Sequence, residues 1–122
     1  VRDGEGRKIE TWLGDVVNPA LIRFVREEMG SYGPEMWARA AREISAAYAD
    51  MGTPLQSLAA LDPLLPVLHL YAQPEEPKYL AAQQSFAAKH SWFTVLRLNA
   101  RSHFPMFEVP EAMANAIEQF LS

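Results

Sequence analysis

Three histidines carry most of the acid–base chemistry that this sequence offers, and one of them has a position suited to catalysis. His103 lies in the stretch NARSHFPMFEVP, directly after a predicted buried strand and before a predicted helix. In open α/β sheets, ligands and catalytic groups gather where parallel strands reach their carboxyl ends. Position alone therefore leaves two interpretations of His103 open, a catalytic base or a residue that stabilises a turn.

The other two histidines are better explained by structure. His69 lies inside the predicted strand VLHLY, where a hydrogen-bonded packing role is favoured. His90 ends a predicted helix, where a partly positive imidazole suits the helix dipole. The histidine spacing fits no metal motif, and neither HxH nor HExxH occurs, so no metal site is expected.

An imidazole base also needs a partner that fixes its tautomer and a nucleophile or substrate within reach. Glu75 and Glu76 follow the first predicted strand and are the candidate carboxylates. The nucleophile elbow G-x-S-x-G is absent, and there is no cysteine, so disulfides and thiolate chemistry are excluded. These residues alone therefore cannot form a Ser–His–acid constellation.

The composition is that of a globular protein. The chain has 122 residues, of which 49% are hydrophobic and 21% charged, and this predicts one domain or part of one. A net charge of −4 without a Lys/Arg cluster speaks against nucleic-acid binding. No apolar run approaches the roughly 18–20 residues of a membrane span, and no signal peptide opens the chain, so the cytoplasm is the default location.

The elements predicted to hold these residues are helices first, and then strand–helix–strand–helix. Asn18-Pro19 begins a helix, and Gly52 ends the longest helical pattern. After residue 66 two short apolar runs are typical of buried parallel strands, and each is followed by a helix. The predicted segments are PALIRFVREEM, PEMWARAAREISAAYADM, PLQSLAAL, PVLHLY, KYLAAQQSFAAKH, WFTVLRL and PEAMANAIEQFL.

Two parallel strands make a poor sheet, because at least one apolar edge stays bare. We therefore expect this chain to be the C-terminal part of a larger α/β sheet whose other strands lie upstream of Val1. Trp37 and Ile44, seven residues apart, share one face of the longest helix. Core packing is the simpler interpretation of this pair, and one wall of an apolar pocket is the other.

Several blocks of the sequence resemble the cofactor-independent 3-hydroxy-4-oxoquinoline and 3-hydroxy-4-oxoquinaldine 2,4-dioxygenases, which have the α/β-hydrolase fold. The blocks run in the same order and at similar spacing over roughly residues 18–122. No single block is specific, but the combination of a cap helix with Trp, a strand that ends in Gln-Pro, His-Ser-Trp-Phe and Ser-His-Phe-Pro is fairly specific. The blocks are EEM, EMWARAAREISAAY, GTPLQSL, HLYAQPEEPKY, FAAKHSWF and SHFP…VPEAMANAIEQFL. The resemblance implies a helical cap and return helix over residues 1–60, and the C-terminal βαβα part of the hydrolase core over residues 61–122.

The resemblance also implies a chemistry. Enzymes of this family open an N-heteroaromatic ring with O2 and release carbon monoxide, without a metal, a flavin or another cofactor. His103 matches the base that takes the proton of the substrate's 3-hydroxyl, and Trp37 and Ile44 match cap-helix positions that face the aromatic substrate. The acid of the family is an aspartate after the preceding strand, which argues against Glu75 and Glu76 as acid partners.

The family's elbow serine, strand-end aspartate and oxyanion-hole region lie upstream of what this sequence contains. The chain alone is therefore expected to be inactive and to need an upstream half of the same protein. Two alternatives stay open. One is an ordinary α/β-hydrolase, an esterase or C–C hydrolase with a Ser–His–acid triad. The other is a non-catalytic interaction fragment, suggested by the missing nucleophile and the bare sheet edge.

Overall fold

The computed structural model describes residues 11–122, so the first ten residues of the predicted cap segment 1–60 lie outside the described residues. Helix α1 spans Pro19–Arg23 and continues as a π-helical turn, Phe24–Met29, and a 3-10 turn, Gly30–Tyr32. It begins where the sequence predicts, because the Asn18 side chain accepts the N–H of Leu21 at 3.1 Å and proline occupies the first turn.

The longest helix, α2, spans Gly33–Met51. It ends at Gly52, as predicted, where φ is +78° and the N–H donates to the Tyr48 carbonyl at 3.1 Å. Helix α3, Pro54–Ala59, follows at once, and a capping box on Thr53 begins it. Among the helices of residues 11–122, none is long and apolar enough to cross a bilayer.

The second half of the chain is the predicted βαβα unit. Strand β1 and strand β2 pair in parallel, with Val67 opposite Phe93 and Tyr71 opposite Arg97 at the two ends. Two further helices follow the second strand. The bounds are Val67–Tyr71 for β1, Pro77–Lys89 for α4, Phe93–Arg97 for β2, Pro105–Glu108 for α5 and Pro110–Leu121 for α6.

Side-chain hydrogen bonds tie the two chain segments that leave the carboxyl ends of the strands. Arg97 Nε donates to the Ala72 carbonyl at 3.1 Å, and Gln73 Nε2 donates to the Ala100 carbonyl at 3.1 Å. Ala72 and Ala100 are both buried. The loop that carries His103 is therefore fixed against the loop that follows β1.

A turn near the start of the described chain packs on the same loop. Gly14 in this turn has φ +59°, a region that L side chains rarely adopt. A Cβ atom on Gly14 would collide with the backbone carbonyl of Arg101. Only glycine lets the N-terminal turn approach the His103 loop this closely.

We expect Gly14→Ala to lower the free energy of unfolding. The left-handed backbone costs about 1–2 kcal/mol with a side chain, and the clash with Arg101 adds about 1–3 kcal/mol. Urea denaturation followed by circular dichroism measures this loss. Gly30→Ala is the matched control, because Gly30 has φ −65° and its added Cβ would meet only the Val25 carbonyl at 3.7 Å. An equal effect of the two substitutions would contradict the close approach.

Candidate active site

The imidazole of His103 is exposed at the carboxyl end of the sheet, in the loop between β2 and α5. Its backbone N–H donates to the carbonyl of Trp12 at 2.9 Å, and the His103 and Trp12 ring centroids are 5.8 Å apart. The ring therefore contacts an indole while the residue stays exposed to solvent. This is the placement expected of a residue that meets a ligand.

Two further aromatic rings pack on Trp12. Trp37, on α2, lies with its ring centroid 6.2 Å from that of Trp12, and the ring centroid of Phe104 also lies 6.2 Å from that of Trp12. The Trp37 indole N–H donates to the Met29 carbonyl at 3.2 Å, which fixes the orientation of the ring. The structure thus brings Trp37 and His103 into one aromatic cluster through Trp12.

Ile44 lies two turns, about 10 Å, beyond Trp37 on α2. Its side chain is 59% exposed. Ile44 is therefore on the same helix face as Trp37 but outside the aromatic cluster that Trp12 forms with Trp37 and His103. That Trp37 and Ile44 form a wall of the substrate pocket stays a prediction.

Partial burial of its imidazole lowers the pKa of His103 below the ordinary value of 6.5. The physical cause is that the ring against Trp12 loses part of the water that would stabilise the imidazolium. The neutral form, which can accept a proton, therefore predominates near neutral pH.

Neither glutamate after β1 approaches His103 as a partner. The Glu75 carboxylate lies 3.9 Å from the Arg97 guanidinium and is largely exposed. Glu76 is exposed at the start of α4, where its carbonyl accepts the N–H of Tyr79 at 3.0 Å. Within residues 11–122, no hydrogen bond or ion pair joins the His103 ring to a carboxylate. The described residues therefore supply no carboxylate partner for the His103 ring.

The carboxylate closest to the His103 loop along the chain is Glu108, and it binds the loop backbone. Its two oxygens accept the N–H of Arg101 at 3.0 Å and the N–H of Ser102 at 2.8 Å. The Ser102 hydroxyl also donates to Glu108. The backbone on the N-terminal side of His103 is thereby attached to α5.

Burial by itself would raise the pKa of the Glu108 carboxyl, but the hydrogen bonds outweigh it. The Arg101 N–H, the Ser102 hydroxyl, the Ser102 N–H and the Arg101 charge together hold the pKa below its ordinary value. Glu108 is therefore ionised at neutral pH, as an acceptor of three hydrogen bonds should be.

His69 occupies the packing position that the sequence predicts. Its Nε2 lies 3.2 Å from the Tyr79 hydroxyl, and its ring stacks on Tyr71 with centroids 5.2 Å apart. Burial lowers the pKa of His69. The ring borders a cleft of about 420 Å³ at the amino ends of the strands, lined also by Leu55 and Phe93. That cleft is at the opposite end of the sheet from His103.

Two residues of the site, Trp12 and Glu108, were missed by the sequence reasoning. Trp12 precedes every predicted block, and nothing local links it to His103. Glu108 follows His103 by only five residues, so the sequence does place a carboxylate close to the polar loop. In the described range, no group of three or more His, Cys, Asp or Glu side chains could hold a metal ion.

The chain is similar in sequence to enzymes that act on quinolones. It is 35% identical over 113 residues to 2-heptyl-3-hydroxy-4(1H)-quinolone dioxygenase of Mycobacteroides abscessus, and 39% identical over 112 residues to 1H-3-hydroxy-4-oxoquinoline 2,4-dioxygenase of Pseudomonas putida. The matches cover 93% and 92% of this chain but 42% of each relative. The chain thus spans less than half the length of these relatives. No protein-family model matches it.

Solved structures give the same result. The structure of 1H-3-hydroxy-4-oxoquinoline 2,4-dioxygenase matches 98% of this chain with a TM-score of 0.90 and 38% identity, over 46% of its own length. An AqdC variant, solved with its substrate in a study of Pseudomonas quinolone signal ring cleavage, matches 98% with a TM-score of 0.89 and 33% identity, over 45% of its length. In sequence and in fold, this chain is homologous to the C-terminal part of the 3-hydroxy-4-quinolone 2,4-dioxygenases, which have the α/β-hydrolase fold.

Proposed function

We propose that this chain supplies the catalytic base and part of the substrate pocket of a ring-cleaving 3-hydroxy-4-quinolone dioxygenase. The observation that carries the proposal is the exposed position of His103 at the carboxyl end of the sheet, with Trp12 beside it and Trp37 packed on Trp12. The names of the relatives, all dioxygenases of 3-hydroxy-4-quinolones or of the parent oxoquinoline, support the substrate class.

In the proposed reaction, the neutral imidazole of His103 takes the proton of the substrate's 3-hydroxyl. The resulting anion is rich in electrons and reacts with O2, so the substrate itself is the reductant. Incorporation of the oxygen opens the ring and releases carbon monoxide. The lowered pKa of His103 supports this role, since an imidazole that stays unprotonated at neutral pH is ready to act as a base.

The proposed pocket uses flat aromatic surfaces. Trp12 and Trp37 meet edge to face at 74° between ring planes, so a bicyclic quinolone that packs flat on one indole turns its own edge toward the other. We place Ile44 as an apolar wall for a larger 2-substituent, because it continues the Trp37 face of α2 and is exposed.

We further propose that the active protein includes an upstream half and that this chain has two parts, a helical cap over residues 1–60 and a core over residues 61–122. The whole of α2 has no buried residue, and Tyr48 and Met51 on it are 52% and 61% exposed. An apolar helix face and an unpaired edge of β1 are both surfaces that further protein can cover. The cytoplasmic location remains a prediction.

In the full-length protein that contains this chain, we expect His103→Ala to lower kcat for a 3-hydroxy-4-quinolone about 10²- to 10⁴-fold, because a positioned general base contributes that much. Oxygen consumption and carbon monoxide release measure the rate. His90→Ala is the control, since His90 packs on Phe86 at a centroid distance of 4.2 Å, away from the site. Hydrolysis of nitrophenyl esters without quinolone turnover would overturn the proposal in favour of an ordinary hydrolase.

The acid limb of kcat/KM should have its midpoint below pH 6.5, because burial lowers the pKa of His103 and protonation removes the base. Trp12→Ala exposes the imidazole to water and should move this midpoint upward toward the ordinary value. Trp92→Ala, which removes an indole beside His90, should leave it in place. If Trp12→Ala leaves the midpoint unchanged, Trp12 does not desolvate the base.

Trp37→Ala should raise KM for the quinolone more than it lowers kcat. The indole binds the ring system in both ground and transition states, whereas it touches no reacting proton. Steady-state kinetics with a quinolone that lacks a 2-substituent tests this directly.

Ile44→Ala should raise KM only for substrates with a long 2-alkyl chain. Equal effects on a 2-alkyl quinolone and on a quinolone without a 2-substituent would contradict the place of Ile44 in the pocket.

A further inference from the structure

We infer that Glu108 is a positioning residue for His103, holding the histidine loop so that the imidazole keeps its place against Trp12. The inference rests on the proposed function of His103 as a base, and it assigns a role to a residue that takes no part in the chemistry itself. It also assigns a role to the short helix α5, because its last residue, Glu108, directs a carboxylate to the loop that precedes the helix.

The first step is the direct attachment of the loop to Glu108. The carboxylate accepts the backbone N–H groups of Arg101 and Ser102 through different oxygens, at 3.0 and 2.8 Å. A carboxylate that accepts two neighbouring N–H groups fixes the direction of the peptide plane between them. The backbone immediately before His103 has little freedom as a result.

The second step is a relay through Ser102 to the other side of the histidine. The Ser102 hydroxyl donates to Glu108 and accepts the N–H of Phe104 at 3.1 Å. Ser102 is fully buried. Residues on both sides of His103 are therefore held, directly or through one hydroxyl, by a single carboxylate.

The third step is the orientation of the imidazole itself. The N–H of His103 donates to the Trp12 carbonyl at 2.9 Å, and the Phe104 ring packs on the Trp12 ring. A loop that shifted at Ser102 would pull His103 and Phe104 from Trp12 together. The ring would stay exposed and chemically intact but would no longer be aimed at a bound substrate.

Glutamine cannot replace this carboxylate. A glutamine side chain has one acceptor oxygen and one NH2 group, and the NH2 would face an N–H or hydroxyl donor of the loop. The three donors that now meet Glu108 cannot all be satisfied by a single amide. The loop must therefore move even though the substitution keeps the size and shape of the side chain.

The test compares Glu108→Gln with Glu111→Gln in the full-length protein that contains this chain. Glu111 is exposed in the first turn of α6 and serves as the matched control. We expect Glu108→Gln to lower kcat about 10²-fold with little change in KM, because a misplaced base slows the chemistry and leaves binding intact. Glu108→Asp should restore part of kcat, and Glu111→Gln should match the unsubstituted protein.

A second measurement separates positioning from folding and from the proposed function. Nuclear Overhauser contacts between the His103 and Trp12 ring protons should weaken in Glu108→Gln and persist in Glu111→Gln. This readout needs no turnover, so it still decides the inference if the protein cleaves no quinolone. Ser102→Ala removes the hydroxyl relay and should cause a smaller loss of the same contacts, which covers the case in which Glu108→Gln does not fold. Unchanged kcat and unchanged contacts in Glu108→Gln would overturn the inference, as would equal losses in both glutamine variants.

Discussion

The parallel pairing of β1 and β2 is the constraint on which the candidate site depends. Parallel strands send both chain exits to the same edge of the sheet, and the bond from the Leu98 N–H to the Tyr71 carbonyl, 2.6 Å long, extends the pairing past the end of β2. The segments that leave this edge include the His103 loop, which then meets the Trp12 turn at a backbone hydrogen bond. The candidate base His103 and an aromatic surface from a distant segment are joined because the sheet fixes where the loop begins.

Much of the fold could be predicted from the sequence because its signals are local. Asn18 and Thr53 each cap a helix through their own side chains, and Gly52 ends one with a positive φ. The two apolar runs are predicted to be parallel strands because the segment between them is long enough for a crossover helix and too long for a hairpin loop. The structure pairs them in parallel. His69 was correctly assigned to packing, because a strand-interior imidazole between buried rings has a hydrogen-bond partner at hand.

The parts that sequence reasoning could not reach depend on contacts between distant residues. Trp12 meets His103 only after the whole sheet has formed, so no spacing rule connects them. The apolar stripe of α2 was read correctly as a helix face, but its burial was not predictable, because a stripe says which side is apolar and not what covers it. Ile44 and Tyr48 on this face are exposed in a chain that spans less than half the length of its relatives. The burial of such a face depends on contacts with other segments, and a spacing pattern does not encode those contacts.

The direction of the pKa shift does not distinguish His69 from His103, whereas the surroundings of the two rings do. Burial lowers the pKa of both rings, so both are neutral bases at pH 7. The Nε2 of His69 already meets the Tyr79 hydroxyl, and its ring is stacked on Tyr71, so its basic nitrogen and its flat face are engaged. His103 has one side against Trp12, and no other side chain of the described residues holds its nitrogens by a hydrogen bond. A base must be free to accept a substrate proton, and of these two imidazoles only that of His103 combines a held backbone with ring nitrogens that no described side chain binds.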